Sequence, residues 1–178
     1  MKIHRNSSSN FYSLFDFSKE MQRALYLLKY DHRKELGFEL GKLIGKRILE
    51  YFNKEENIIL VPIPIHKHKR YIRDYNQSEM IVKGIVEITG WKDGSMLVSR
   101  TVFTKSQTTM NKYQRKENVR SVFTVHELSE KKATYFIIDD VITTGATTLE
   151  LKKNFEEKGI DKVGIISVAS PHKDFEEL

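Results

Sequence analysis

Phe136-Ile137-Ile138-Asp139-Asp140-Val141-Ile142-Thr143-Thr144-Gly145-Ala146-Thr147-Thr148 is the stretch that decides the fold of this 178-residue chain. The apolar residues Tyr135 to Ile138 read as a buried strand. That strand delivers two adjacent carboxylates to its C-terminal end, which is where ligands bind in open α/β sheets. Small hydroxyl residues around a glycine follow, and a helix is predicted from Gly145 onward. Glycine lets the backbone come close to a ligand. The N–H groups at a helix start have no partner within the helix and cradle anions. The hydroxyls of Thr143, Thr144, Thr147 and Thr148 add further donors.

An acidic edge beside an anion cradle suits one kind of ligand, a sugar phosphate. The carboxylates accept from ribose hydroxyls while the cradle holds the 5-phosphate. No lysine follows Gly145, which excludes a nucleotide-triphosphate P-loop. A plainer reading makes Asp139 and Asp140 turn caps and the threonines solvated. Against it stands the joint occurrence, in order, of the strand, the acid pair and the Thr-Thr-Gly-Ala-Thr run.

Working outward, Val163 to Val168 is another apolar strand, and Gly159 ends the helix before it. Asn57 to Pro64 reads as a strand that stops at Pro62 and Pro64, because proline cannot donate to a sheet ladder. Asp74-Tyr75-Asn76-Gln77 resembles a capping box that opens a helix containing Ile81, Val82, Ile85 and Val86. Short strands are expected at Met96 to Ser99 and Ser121 to Val125. Ser18 can cap a helix running to about Tyr30. A second helix carries Leu36, Leu40, Leu43, Ile44, Ile48 and Phe52 on one face. Residues 1–17 are expected as an arm pinned by Phe11, Tyr12, Phe15 and Phe17, and residues 18–178 as a single domain. Alternating strands and helices predict an α/β fold with a mostly parallel sheet flanked by helices.

Composition is that of a globular protein, with 39% hydrophobic and 30% charged residues. No apolar run reaches the ~20 residues that cross a bilayer. The absence of cysteine excludes disulfides, thiol nucleophiles and cysteine-ligated zinc. It fits a cytoplasmic location. The net charge of +6 favours phosphorylated small molecules or nucleic acid as partners, with a solvated lysine-rich surface as the plain alternative.

The Phe136–Thr148 segment closely resembles the signature of type I phosphoribosyltransferases. That resemblance implies a central parallel sheet with an N-terminal helical or hood part. It also implies binding of phosphoribosyl pyrophosphate, or a nucleotide, with Mg2+. Asp139 and Asp140 would contact the ribose, with Mg2+ held through the ligand and by these acids. Thr143, Thr144, Gly145, Ala146 and Thr147 would hold the 5-phosphate.

His66, Lys67, His68, Lys69, Arg70 and Arg73 crowd one short segment after a strand. In the resembling fold a loop here receives pyrophosphate, which assigns His66, Lys67 and Arg73 to that group. A solvated basic loop is the plain alternative. A metal held by His66 and His68 lacks a third ligand in view. Val61-Pro62-Ile63-Pro64 with Arg73-Asp74-Tyr75-Asn76-Gln77 is similar to a pattern of the ComF competence-protein family. Leu28-Lys29-Tyr30, Arg100, Gln107, Arg115 and Asn118 match further, and the order holds from about Arg23 to Ala169. Asp74 stands where that family has glycine. Aspartate tolerates a left-handed backbone and can cap the next helix. The family's N-terminal four-cysteine zinc ribbon cannot form in this chain.

Residues 100–120 are basic and polar, with Phe103 and Tyr113 among the cations. The resemblance makes them the hood over the active site, with Arg100, Arg115 and Asn118 as covering residues and with ordering on ligand binding. Interleaved rings and cations also suit single-stranded DNA, and a surface hairpin is the plain reading. Two functions follow. One is transfer of ribosyl phosphate to or from an acceptor. The other is a non-enzymatic DNA-uptake accessory in natural transformation, with a competence helicase as partner and the pocket as a sensor. No residue stands out as the general base. A DNA-reading helix for a transcriptional regulator is not found.

Overall fold

The computed structural model of the chain describes residues 4–6, 10–31, 33–100 and 122–171. In chain order these form β1 (His4–Asn6), β2 (Phe11–Asp16), α1 (Lys19–Tyr30), α2 (Lys34–Ile48), β3 (Ile58–Pro62), α3 (Lys67–Arg73) and α4 (Gln77–Thr89). There follow β4 (Lys92–Asp93), β5 (Val98–Arg100), β6 (Phe123–Val125), β7 (Thr134–Val141), α5 (Ala146–Glu157) and β8 (Val163–Ser170).

The main sheet has the order β1-β2-β8-β7-β3-β4. β1 runs antiparallel to β2, and the other pairings in this sheet are parallel. β5 and β6 form a separate antiparallel pair. Strand residues alternate between two cores. Phe136 and Ile138 of β7 join Leu25, Leu28, Ile44 and Ile81 from α1, α2 and α4. Tyr135 and Ile137 join Leu151 and Phe155 of α5, together with Val98 and Val125. Both faces are covered, so β3 and Tyr135 to Ile138 of β7 read in sequence as apolar runs. This is the mostly parallel sheet flanked by helices that the alternating strands and helices predict.

Phe11–Asp16, expected within an arm laid on the domain, are strand residues of the sheet. Phe11, Tyr12 and Leu14 are buried, and β2 pairs with β8 from Phe11↔Ile165 to Asp16↔Ser170. The basic segment expected as a loop is a short helix. Arg70 N donates to His66 O, and Asp74 N donates to Arg70 O. Asp74, at φ 64°, then ends it in a left-handed conformation, as an aspartate there can. The next helix is capped by Asn76, whose side chain accepts from Ser78 N, and not by Asp74. The first helix has its expected cap, Ser18, accepting from Met21 N.

α2 and α4 touch along a seam of glycines that hydrophobic periodicity does not show. A β-carbon on Gly41 would lie 2.1 Å from Ile81 O, and one on Gly84 would lie 2.0 Å from Phe38 O. Hydrogen atoms alone let the two backbones come this close. The seam joins α4 to α2, and Ser78 near the start of α4 meets Asp139 at the end of β7.

Candidate functional site

β7 stays paired with β8 through the acid pair, with Asp139 opposite Ser167 and Val141 opposite Ala169. Ile142 N still donates to Ala169 O at 3.2 Å, and Ser170 Oγ donates to Ile142 O at 3.1 Å. The sheet therefore fixes the acids, and the chain turns only beyond them. Gly145, at φ 70°, makes that turn and opens α5 without a side-chain cap. Ala146 N donates to Thr144 Oγ1 at 3.4 Å. Thr148 Oγ1 is buried and donates to Gly145 O at 2.8 Å, so this hydroxyl closes the first turn and is not available to a ligand. Thr143 and Thr147 are exposed.

Asp139, Val141, Ile142 and residues 143–148 line a concavity of about 50 Å³. That is several times the ~10–15 Å³ one water needs, a size suited to one compact anion. The sequence-expected cup residues Thr143, Thr144, Gly145, Ala146 and Thr147 are thus brought together with Asp139.

The two acids have different surroundings. Asp139 Oδ1 accepts from Asp140 N at 2.9 Å and from Ser78 Oγ of α4 at 3.3 Å. Asp140 is buried; its Oδ1 accepts from Val141 N at 3.0 Å, and its Oδ2 lies 2.6 Å from Lys29 Nζ of α1. Burial, and next the Asp140 carboxylate beside it, push Asp139 up from the ordinary carboxylate value to about 8. The N–H of Asp140 and the Lys29 ammonium act the other way without prevailing.

His66 and Arg73 are not among the residues that line the cup, and the side chain of Lys67 lies outside the described residues. His66 is exposed ahead of α3. Arg73 sits 5.2 Å over the Tyr30 ring and donates to Gln77 Oε1 at 3.1 Å. Arg73 is thus held against the end of α1 and the start of α4. Arg70 is held bidentately by Glu79 at 3.2 and 3.3 Å. Arg100 lies in β5, 5.5 Å from the Phe123 ring. Arg115, Asn118 and Gln107 fall outside the described residues, as does the expected hood over 101–120.

Sequence reasoning assigned no site role to Lys29, Ser78 or Gln77. Gln77 Nε2 is buried without a hydrogen-bond partner. The Ser-Asp and Lys-Asp contacts join distant parts of the chain and leave no local signature. Among the described residues no group of three or more His, Asp or Glu side chains could hold a metal ion. Two adjacent carboxylates supply hard oxygen donors but no cage. Asp139 and Asp140 could serve as such donors to an Mg2+ that is otherwise held by the oxygens of a phosphorylated ligand.

No protein-family model matches the chain. It is 25% identical over 158 residues to the DNA utilization protein YhgH of Salmonella typhimurium, spanning 86% of this chain and 68% of that protein. It is 24% identical over 165 residues to competence protein F of Haemophilus influenzae, spanning 89% of this chain and 63% of that protein. Among solved structures it is similar to a glutamine phosphoribosylpyrophosphate amidotransferase from B. subtilis complexed with ADP and GMP. The TM-score is 0.51 at 16% identity, over 76% of this chain and 26% of that one. The chain is therefore similar to proteins named for DNA utilization and competence, and its fold is like that of a phosphoribosyltransferase-type structure.

Proposed function

We propose that the chain binds phosphoribosyl pyrophosphate with Mg2+ and transfers its ribosyl phosphate to or from an acceptor. One observation carries this reading. Asp139 lines the same small concavity as the Thr143–Thr147 turn, so one carboxylate and one anion cup share a wall. A ribose 5-phosphate laid there puts phosphate in the cup and its ring hydroxyls toward the acid pair. Asp139 and Asp140 would orient the ribose, and a cation shared with the ligand would neutralise the leaving pyrophosphate as a Lewis acid. Carboxylates beneath the sugar would favour positive charge developing at its C1.

Calorimetric titration of phosphoribosyl pyrophosphate with Mg2+ tests the reading, with melting curves to show that variants stay folded. Binding that falls in Asp140→Asn at neutral pH, and in Asp139→Asn once the pH exceeds about 8, supports it. No heat at millimolar ligand, or equal affinity in the variants, refutes it. Turnover against a panel of nucleobases then identifies an acceptor.

A second reading has its own observation. Tyr26 and Tyr30 are 61% and 55% exposed, with ring centroids 4.9 Å apart, and Arg73 lies over Tyr30. Exposed rings next to a guanidinium suit stacking of single-stranded DNA bases. Relatives named DNA utilization protein and competence protein support a setting in DNA uptake, with a competence helicase as the partner to test. The pocket would then sense a nucleotide without turnover.

A further inference from the structure

We infer that Lys29 is an exchangeable counter-ion, which occupies Asp140 until a ligand-borne cation replaces it. The inference deepens the proposed function and rests on it for the identity of the natural ligand.

Both Asp140 carboxylate oxygens have a close neighbour, although Oδ2 accepts no hydrogen bond of good geometry. Val141 N holds Oδ1, and Lys29 Nζ lies 2.6 Å from Oδ2, with the Asp140 side chain only 10% exposed. A ribose hydroxyl or a divalent cation cannot reach Oδ2 while the ammonium stays. The Val141 contact belongs to the backbone of β7 and cannot leave. Lys29 can, since its side chain is 26% exposed and ends a flexible four-carbon stem.

The ends of that stem differ in freedom. Leu28 is fully buried, and its carbonyl accepts from the Tyr75 hydroxyl. Tyr30 is held under Arg73. Both sequence neighbours of Lys29 are therefore tied to the end of α3 and the residues just beyond it, Arg73 and Tyr75, and α1 need not move for the ammonium to swing away.

The electrostatics require an occupant. Asp140 is buried, and a buried carboxylate left without a counter-charge is costly. A cation supplied by the chain lets the empty site exist, and a cation arriving with a phosphorylated ligand competes for the same oxygen. Exchange of one for the other ties the opening of Asp140 to the arrival of a cation.

The probe is Mn2+ alone, titrated by electron paramagnetic resonance without any sugar phosphate. Folded Lys29→Gln should bind Mn2+ about tenfold more tightly than the parent, the scale of removing one competing charge near the surface. Lys29→Arg should keep the parental affinity, and the gain should vanish in Lys29→Gln/Asp140→Asn. In the unaltered protein, labelling of Lys29 by an amine reagent should quicken as Mn2+ is raised, a readout independent of how the variants fold. A lysine with only a structural role lowers the melting temperature when replaced but moves neither readout. An unchanged or weakened Mn2+ affinity in folded Lys29→Gln, or labelling indifferent to Mn2+, overturns the inference. Because no sugar phosphate is present, these outcomes stand apart from a failure to bind phosphoribosyl pyrophosphate, which would refute the proposed function alone.

Discussion

Gly41 of α2 and Gly84 of α4 face one another so closely that a β-carbon built on Gly41 lies 3.0 Å from the Cα of Gly84. The nearest obstacles on both sides are backbone atoms, which cannot rotate away. Gly84→Ala is therefore expected to destabilise the protein by about 3 kcal/mol, the upper part of the usual overpacking range. Gly159→Ala, at φ 80° with open space around it, should cost only the ~1–2 kcal/mol of a left-handed alanine. Urea unfolding of both variants checks the order, and a Gly84→Ala cost at or below that of Gly159→Ala contradicts the tight seam.

Asp139 sets a pH dependence of stability. Its folded value lies above that of an ordinary carboxylate, at about 8, so the folded state holds a proton that the unfolded state releases. Stability then falls as pH rises from the ordinary carboxylate range toward 8. Asp139→Asn removes that slope and should melt at a higher temperature than the parent at pH 8, with a smaller difference near pH 4. Melting curves recorded across this window decide the matter, and parallel profiles for the two proteins count against a protonated Asp139.

Asp140→Asn should weaken binding of phosphoribosyl pyrophosphate with Mg2+ at neutral pH, and Asp139→Asn should do so once the pH exceeds about 8 and that acid is ionised. A charged acceptor for a hydroxyl is worth ~1.5–3 kcal/mol, or roughly ten- to hundredfold in affinity. Thr144→Val should cost less, because the backbone N–H groups of the same turn remain. Calorimetry that finds Thr144→Val the most damaging of the three contradicts the division of labour between acids and cup.

Single-stranded DNA binding, where measured by fluorescence anisotropy, should depend on the exposed tyrosines. Tyr30→Ala is expected to lose ~1–3 kcal/mol, the value of one stacked base. Arg73→Ala should lower the slope of log affinity against log salt by about 0.7, one phosphate contact on a single strand. Undiminished binding in Tyr30→Ala, or a salt slope unaffected by Arg73→Ala, removes the case for this surface.

The strands and helices bordering the cup were legible because their signals are local. Tyr135 to Ile138 is an apolar run, Gly145 and Gly159 both adopt the positive φ that glycine favours, and Ser18 caps its helix. The basic segment before Arg73 misled, since charge density says nothing about φ and ψ, and a short helix carries the same residues as a loop. β2 was hidden for another reason. Phe11 to Asp16 becomes a strand only because β8, far along the chain, presents an unpaired edge. Lys29 stood in the sequence as one lysine among many, and the carboxylate that gives it meaning is supplied by a different part of the fold. Hydrophobic periodicity likewise reports which residues are buried, not which backbones touch, so the Gly41–Gly84 contact escaped it.

The pairing of β2 with β8 has a consequence for how the protein is made. Residues 11–16 can complete their ladder only with residues 165–170, the last strand among the described residues to leave the ribosome. Until then the exposed edge of the first parallel strand must wait, for several seconds or more at ~5–20 residues per second of synthesis. Closure of so long a loop is also slow in refolding from denaturant. The site residues of β7 lie between these two strands in the chain and next to β8 in the sheet. The nascent chain therefore carries Asp139 and Asp140 before the strand that fixes them exists, and a competent ligand site arises only as translation of this region ends.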